Sequence, residues 1–265
     1  MQKELPIVNL RANGPALIAV PDNSAPNDLY STSSGIITGK FKGGLNTIVH
    51  VGDYWMVGDF EKTVTFTSVA IGSQIWSTTN LDVTSYRDGT PIPQVTDPTQ
   101  WANLTTGAWC YYNNDSSNGN TYGKLYNWYA VAGIHDNDPN TPNKILSPIG
   151  WHIPSDIEWT TLTDFLGGES VSGNKIKESG ILHWTSPNTG ADNISGFTAL
   201  PGGARYNDGV FSSPTIPLGG NGFYWSSTEN NSTMSYDLML SYFNGYVSLV
   251  PHPKGTGESV RCLMD

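Results

Sequence analysis

Cysteine, basic charge and long apolar runs are all scarce in this chain. Only Cys110, in AWCYYNND, and Cys262, in SVRCLMD, occur among 265 residues. They match no zinc-ligand spacing and no CxxC redox motif, and read as buried free thiols or as one structural bridge. Lys and Arg number 13 against 23 Asp and Glu, a net charge of −10. Nucleic acid is therefore not an expected partner, because a phosphate backbone demands clustered cations. No window approaches the roughly 18 uninterrupted apolar residues of a spanning helix, so no membrane insertion is expected. The opening MQKELPIVNLRANG has a charged start but neither a following apolar region nor a lipid-accepting cysteine, and does not read as a secretion signal.

What the chain does have is small and polar. Charged residues make up 14% and hydrophobic ones 37%, against 29 Gly, 17 Pro and many Asn, Ser and Thr. That balance favours short strands and ordered loops over long helices. Residues 1–65 alternate short apolar runs with Pro, Gly, Asn and Ser, which predicts extended segments and turns with little core of their own. Within them NTIVHVGDYWMV reads as a β-hairpin, with Ile48, His50 and Tyr54 to Val57 in strands and Gly52-Asp53 at the turn. A segment so poor in core is expected to need a partner surface or copies of itself.

From residue 66 onward aromatics become denser. TYGKLYNWYAVAG, residues 121–133, predicts a helix with Leu125, Trp128, Tyr129 and Ala132 on one face and a stop at Gly133. PSDIEWTTLTDFLGG predicts a second, capped by Ser155, with Trp159, Leu162 and Phe165 at core spacing and Gly167-Gly168 ending it. GNKIKESG, residues 173–180, is a weaker third. The remainder reads as short strands joined by Gly, Asn and Pro turns. In PIGWHIPSDIEW, Ser155 and Glu158 stand at capping-box spacing, so the acids there serve a helix end. His152 is read as a packing histidine, since no nucleophile motif accompanies it. Trp128, Trp151, Trp159 and Trp225 are expected to be buried and to tie helices to sheet.

Seven blocks in order carry a resemblance: IGSQIWSTTNLDVTSYRDGTPIP, WANLTTGAWCYYNND, YGKLYNWYAV, SPIGWHIPSDIEWTTLTDFLGG, SGFTALPGGARYNDGVF, GFYWSSTEN and SVRCLMD. They closely resemble the Fibrobacter succinogenes major paralogous domain family over about residues 66–265. That family is similar to the formylglycine-generating-enzyme branch of the C-type lectin-like fold. The resemblance implies an α+β domain with a small twisted antiparallel sheet, two main helices and long ordered loops, preceded here by the β-rich segment 1–65. Family members often carry Cys-Pro before Gly-Trp-His, whereas this chain has Ser147, which leaves Cys262 without that partner.

The expected function is that of a non-enzymatic structural and binding protein of a phage virion, a head or tail fibre or decoration protein. Residues 1–65 would attach to a capsid or tail protein and assemble sister copies, a trimer being favoured, while the lectin-like domain adheres to a host-surface glycan or protein. A bacterial cell-surface adhesin and a formylglycine-generating-like oxidase stand as alternatives. No catalytic residue, metal or cofactor is expected: calcium-lectin ligand sets are missing, and the oxygen-rich YNNDSSNGN, residues 112–120, lacks the acidic spacing of a calcium loop.

The ligand surface is expected in the C-terminal loops, where Tyr supplies rigid amphipathic area and small polar residues supply hydrogen bonds. A strand from Ser235 to Tyr242 would place Tyr236, Leu238 and Leu240 on one face and Ser235, Asp237, Met239 and Ser241 on the other. The flanking loops then present Asn230, Asn231, Tyr242, Phe243, Asn244, Tyr246 and His252 as candidate ligand-binding residues. For Tyr242, Phe243 and Tyr246 taken singly, an ordinary place in a core or hairpin stands as the competing assignment.

Overall fold

The computed structural model describes residues 67–211 and 217–265 throughout, and within residues 1–66 the backbone of seven strands. The chain divides into two compact units, Met1–Thr65 with Arg87–Gly89, and Phe66–Tyr86 with Thr90–Asp265.

In the first unit the strands are β1 (Ile7–Ala12), β2 (Ile18–Pro21), β3 (Ser31–Ser33), β4 (Ile36–Lys40), β5 (Thr47–Val51), β6 (Tyr54–Gly58) and β7 (Phe60–Lys62). They form a four-stranded sheet in the order β3-β4-β1-β7 and a three-stranded sheet in the order β2-β6-β5. The expected hairpin is present as β5 and β6, with Val51 opposite Tyr54. Its Gly52-Asp53 turn and its side chains lie outside the described residues.

The second unit opens with β8 (Ser68–Ile71), β9 (Gln74–Ser77), α1 (Pro98–Ala102), β10 (Trp109–Cys110), α2 (Ser116–Tyr122), β11 (Leu125–Asn127) and α3 (Trp128–Val131). It continues with β12 (Trp151–His152), α4 (Asp156–Phe165), α5 (Glu169–Ile176), β13 (Asn221–Glu229), β14 (Met234–Ser241), β15 (Val247–Pro253), β16 (Gly257–Glu258) and β17 (Leu263–Met264). Mixed helices and small antiparallel sheets make this an α+β unit. Three sheets replace the single small one expected: β10-β11-β16, β12-β17-β9-β8 and β13-β14-β15.

The helix expected over 121–133 is broken. Gly123 takes φ +71 and ends α2, and Leu125–Asn127 instead pairs with Trp109–Cys110 and Gly257–Glu258 as a strand. Asn127 then restarts a helix, its side chain accepting from Ala130 N as the N-cap. The α4 reading holds in its cap: Ser155 Oγ accepts from Glu158 N and Glu158 Oε2 accepts from Ser155 N. It fails at Phe165, which is 64% exposed, while Leu166 takes the buried place. The third helix begins earlier than expected, at Glu169, and ends before Lys177.

Much of β13 and β14 is buried on both faces, and their period-2 alternation sorts side chains between two cores. Tyr224, Leu238, Leu240 and Val247 join Trp76, Trp159, Leu162 and Phe197 in one. Trp225 joins Tyr126, Trp128 and Trp151 in the other. All four expected tryptophans are buried. Three of their indole N–H groups are satisfied by carbonyls: Trp128 donates to Ser226 O at 2.9 Å, Trp225 to Tyr126 O at 2.8 Å and Trp159 to Trp225 O at 3.4 Å. The first and third fix α3 and α4 to β13, and the second fixes β13 to β11.

Candidate functional site

At one end of the sheet the chain leaves β14 at Ser241 and returns as β15 at Val247. Tyr242 N donates to Gly220 O and Tyr242 O accepts from Thr189 N, so the turn is stitched to the segments on either side. Lys177, fully buried at the end of α5, completes the arrangement. Its Nζ donates to Thr189 O at 3.1 Å, Ser241 O at 3.0 Å and Asn244 O at 2.8 Å. Burial works against its charge and lowers it to about 8. Gly173 of α5 packs directly on this turn, since an added Cβ would stand 2.6 Å from Gly245 O.

The turn so held presents Phe243 and Tyr246 to solvent at 60% and 57% exposure, and the neighbouring 178–190 loop presents Ile181 and Leu182 at 63% and 80%. That loop is itself tied down: Asn188 Nδ2 donates to Glu178 O and Gly180 O, and Thr185 N donates to Gly219 O. Tyr242 is half-buried against the core, its ring edge-on to Phe243.

The seven candidate ligand-binding residues do not form one surface. Asn230 and Asn231 lie in the β13–β14 turn, at the opposite end of β14, about 23 Å away at ~3.3 Å per strand residue. There they build the turn: Asn231 Oδ1 accepts from Thr233 N and Met234 N, and Asn230 Nδ2 donates to the Tyr236 hydroxyl. Asn244 likewise shapes its own turn, accepting from Tyr246 N at 3.0 Å. The oxygen-rich 112–120 stretch is also consumed locally, Asp115 capping α2 and Asn118 Nδ2 donating to Tyr112 O.

His252 departs furthest from expectation. It sits in β15 opposite Ser235 and is drawn inward. Its Nδ1 lies 2.9 Å from Glu258 Oε1 and 3.1 Å from Asp237 Oδ2, both carboxylates being fully buried. Three elements converge here, β14, β15 and β16. Burial raises Asp237 above the usual carboxylate range, opposed by His252. Glu258 rises for the same reason, with the charge of Asp237 adding to it. Burial disfavours the imidazolium, but the two carboxylates outweigh it and raise His252 to about 10. The sequence reading found no cluster with metal-ligand spacing. Among the described residues this is one: β14–β15 register brings Asp237 and His252 together, and Glu258 reaches them from β16 of the β10-β11-β16 sheet.

His152 is not a packing histidine. It bridges two acids on the surface, Nε2 standing 2.9 Å from Glu158 Oε1 and Nδ1 2.8 Å from Asp265 Oδ1. Cys110 and Cys262 form no disulfide and are both buried, and burial pushes the Cys110 thiol up to about 12.

Comparison with known proteins finds the Fibrobacter succinogenes major domain, whose family model matches residues 69–264. No curated protein and no solved structure matches the chain. With three quarters of its length under that model, this chain belongs to the Fibrobacter succinogenes major domain family.

Proposed function

We propose that residues 66–265 are a non-enzymatic recognition domain of C-type lectin-like architecture, displayed on a phage virion to adhere to a host-surface glycan or protein. The observation that carries the recognition role is the loop end of the β13-β14-β15 sheet. Phe243 and Tyr246 stand exposed there, and Ile181 and Leu182 stand exposed on the 178–190 loop tied to the same turn through Thr189 and Lys177. Large apolar side chains held rigid at a surface give contact area at little entropic cost, which is the physical signature of a binding patch. The lectin-like reading is supported by the two main helices, α4 and α5, set with small antiparallel sheets among long ordered loops. The oxidase alternative loses support from the burial of Cys110 and Cys262, since a catalytic thiol has to be reachable as a thiolate. Attachment and trimer formation are assigned to residues 1–65 on the core-poor texture of their sequence. A virion setting rests on the likeness of HVGDYWMVGDF, residues 50–60, to short β-modules in phage fibre proteins.

The test is the double variant Phe243→Ala with Tyr246→Ala in the intact oligomer, read by adsorption to bacterial cells and by binding to an array of envelope glycans. Loss of both signals with an unchanged thermal midpoint supports the proposal. Undiminished adsorption refutes it.

A further inference from the structure

We propose that Asp237, His252 and Glu258 form a binding site for a divalent first-row transition metal, zinc or manganese in class, that pins β14, β15 and β16 together. The geometry is that of a face of a coordination polyhedron. The His252 nitrogen stands 2.9 Å and 3.1 Å from one oxygen of each acid. Donors at right angles around an ion with bonds of about 2.1 Å lie about 3 Å apart. All three donor atoms fall within 4.8 Å of one another.

A salt bridge alone leaves this cluster unsatisfied. Nδ1 carries at most one hydrogen, and it faces two carboxylates. Asp237 Oδ2 has only the shared Nδ1 at 3.1 Å, and Asp237 Oδ1 and Glu258 Oε2 are buried without a hydrogen-bond partner. So is the hydroxyl of Ser235, which shares the Asp237 face of β14 and stands directly opposite His252. Buried polar atoms are seldom left unpaired, and each one orphaned costs stability. A divalent cation satisfies several of them at once. It also offsets the negative charge of two acids placed in a fully buried position beside a single imidazole.

The donor set selects the metal. One imidazole with two carboxylates suits zinc, manganese or ferrous iron, whereas calcium takes six to eight oxygens. His252 is a quarter exposed on its side chain while both acids are at 0%. The imidazole edge is therefore the entry path, and water entering there can fill the remaining coordination positions. Packing nearby favours a fixed ring orientation: the Phe223 ring lies 5.5 Å from that of His252.

The experiment uses the full chain, stripped with EDTA and dialysed against Zn2+, Mn2+ or Ca2+, with metal counted by elemental analysis. One zinc or manganese ion per chain and a raised thermal midpoint are expected, with calcium below a tenth of an equivalent. Cobalt in place of zinc should give visible absorption bands from a nitrogen and oxygen ligand field. His252→Gln and Glu258→Gln should each weaken binding by about tenfold or more, while His135→Gln, on a distant surface loop, leaves it unchanged. The cobalt spectrum and the midpoint shift are read on the unaltered chain, so a variant that fails to fold does not decide the matter. Stripped protein that takes up no zinc, manganese or cobalt and keeps its midpoint overturns the proposal and leaves a proton shared between the two acids. Binding that survives both substitutions, or a preference for calcium, overturns it equally.

Discussion

Lys177 Nζ lies 2.8 Å from the carbonyl oxygen of Asn244, so the residue that closes α5 also holds the β14–β15 turn. Lys177→Met keeps the stem but removes the donor from three carbonyls at once. At about 1 kcal/mol for each buried acceptor left unpaired, the loss is about 3 kcal/mol. Denaturant unfolding measures it, and hydrogen exchange should show residues 242–246 opening faster. Equal stability would mean that water replaces the ammonium group.

The stacked rings of Trp76 and Trp159, with centroids 4.6 Å apart, form the centre of one core. Trp159→Ala should cost about 3 to 5 kcal/mol. For a unit of this size that corresponds to a fall in thermal midpoint of roughly 10 °C. An unchanged midpoint would remove α4 from its assigned place.

The His152 bridge makes stability depend on pH. Burial works against the imidazolium, yet the bonds to Asp265 and Glu158 prevail and raise His152 above its ordinary 6.5. Burial likewise opposes the charge on Glu158, but the bonds from Ser155 and His152 lower it below 4.5. The histidine's contribution is complete below pH 6.5 and fades as pH rises through its folded value. That of the glutamate is complete above pH 4.5 and fades as pH falls through its own. The bridge therefore stabilises most between about pH 4.5 and 6.5. Because His152 and Glu158 are about one third exposed and Asp265 more than half, screening holds the effect to about 1 kcal/mol or less. The difference in unfolding free energy between the natural chain and His152→Gln should peak in that window and shrink as pH rises through the raised His152 value.

Burial shields both thiols, and it pushes that of Cys110 up to about 12. Ellman's reagent should react with neither cysteine in the native protein and with both, Cys110 and Cys262, in denaturant. A thiol that reacts in the native state would reopen the oxidase reading.

Local chemistry was readable where one element fulfils it alone. Ser155 and Glu158 complete a capping box within one turn of helix, and residues 148–162 accordingly announced it. The 121–133 stretch misled because its apolar spacing suits a helix, while the partners that make Leu125–Asn127 a strand lie at 109–110 and 257–258. Gly123, at positive φ, was the available signal for the break. The acid–imidazole cluster left no spacing motif, because β14–β15 register brings 237 and 252 together and the packing of a second sheet adds 258. An aspartate in the middle of the apolar run MSYDLMLS was its one trace: a charge inside a two-sided buried strand calls for a partner. Phe243 and Tyr246 were legible as surface aromatics, whereas Asn230 and Asn231 belonged to a turn at the far end of the same strand.

Residues 257–264 are threaded through the whole second unit. Gly257–Glu258 pairs with β11, Val260 O accepts from Leu81 N, Cys262 O accepts from Ser77 N, and Leu263 lies between Trp76 and His152. Arg261 donates to Asn80, Ser77, Phe197 and Thr198. Two of the three sheets thus lack a strand until this stretch arrives. A nascent chain whose residues 257–264 are still inside the ribosome lacks a strand in two sheets and Val260, Cys262 and Leu263 from its cores, so the unit should complete its fold only after that stretch emerges.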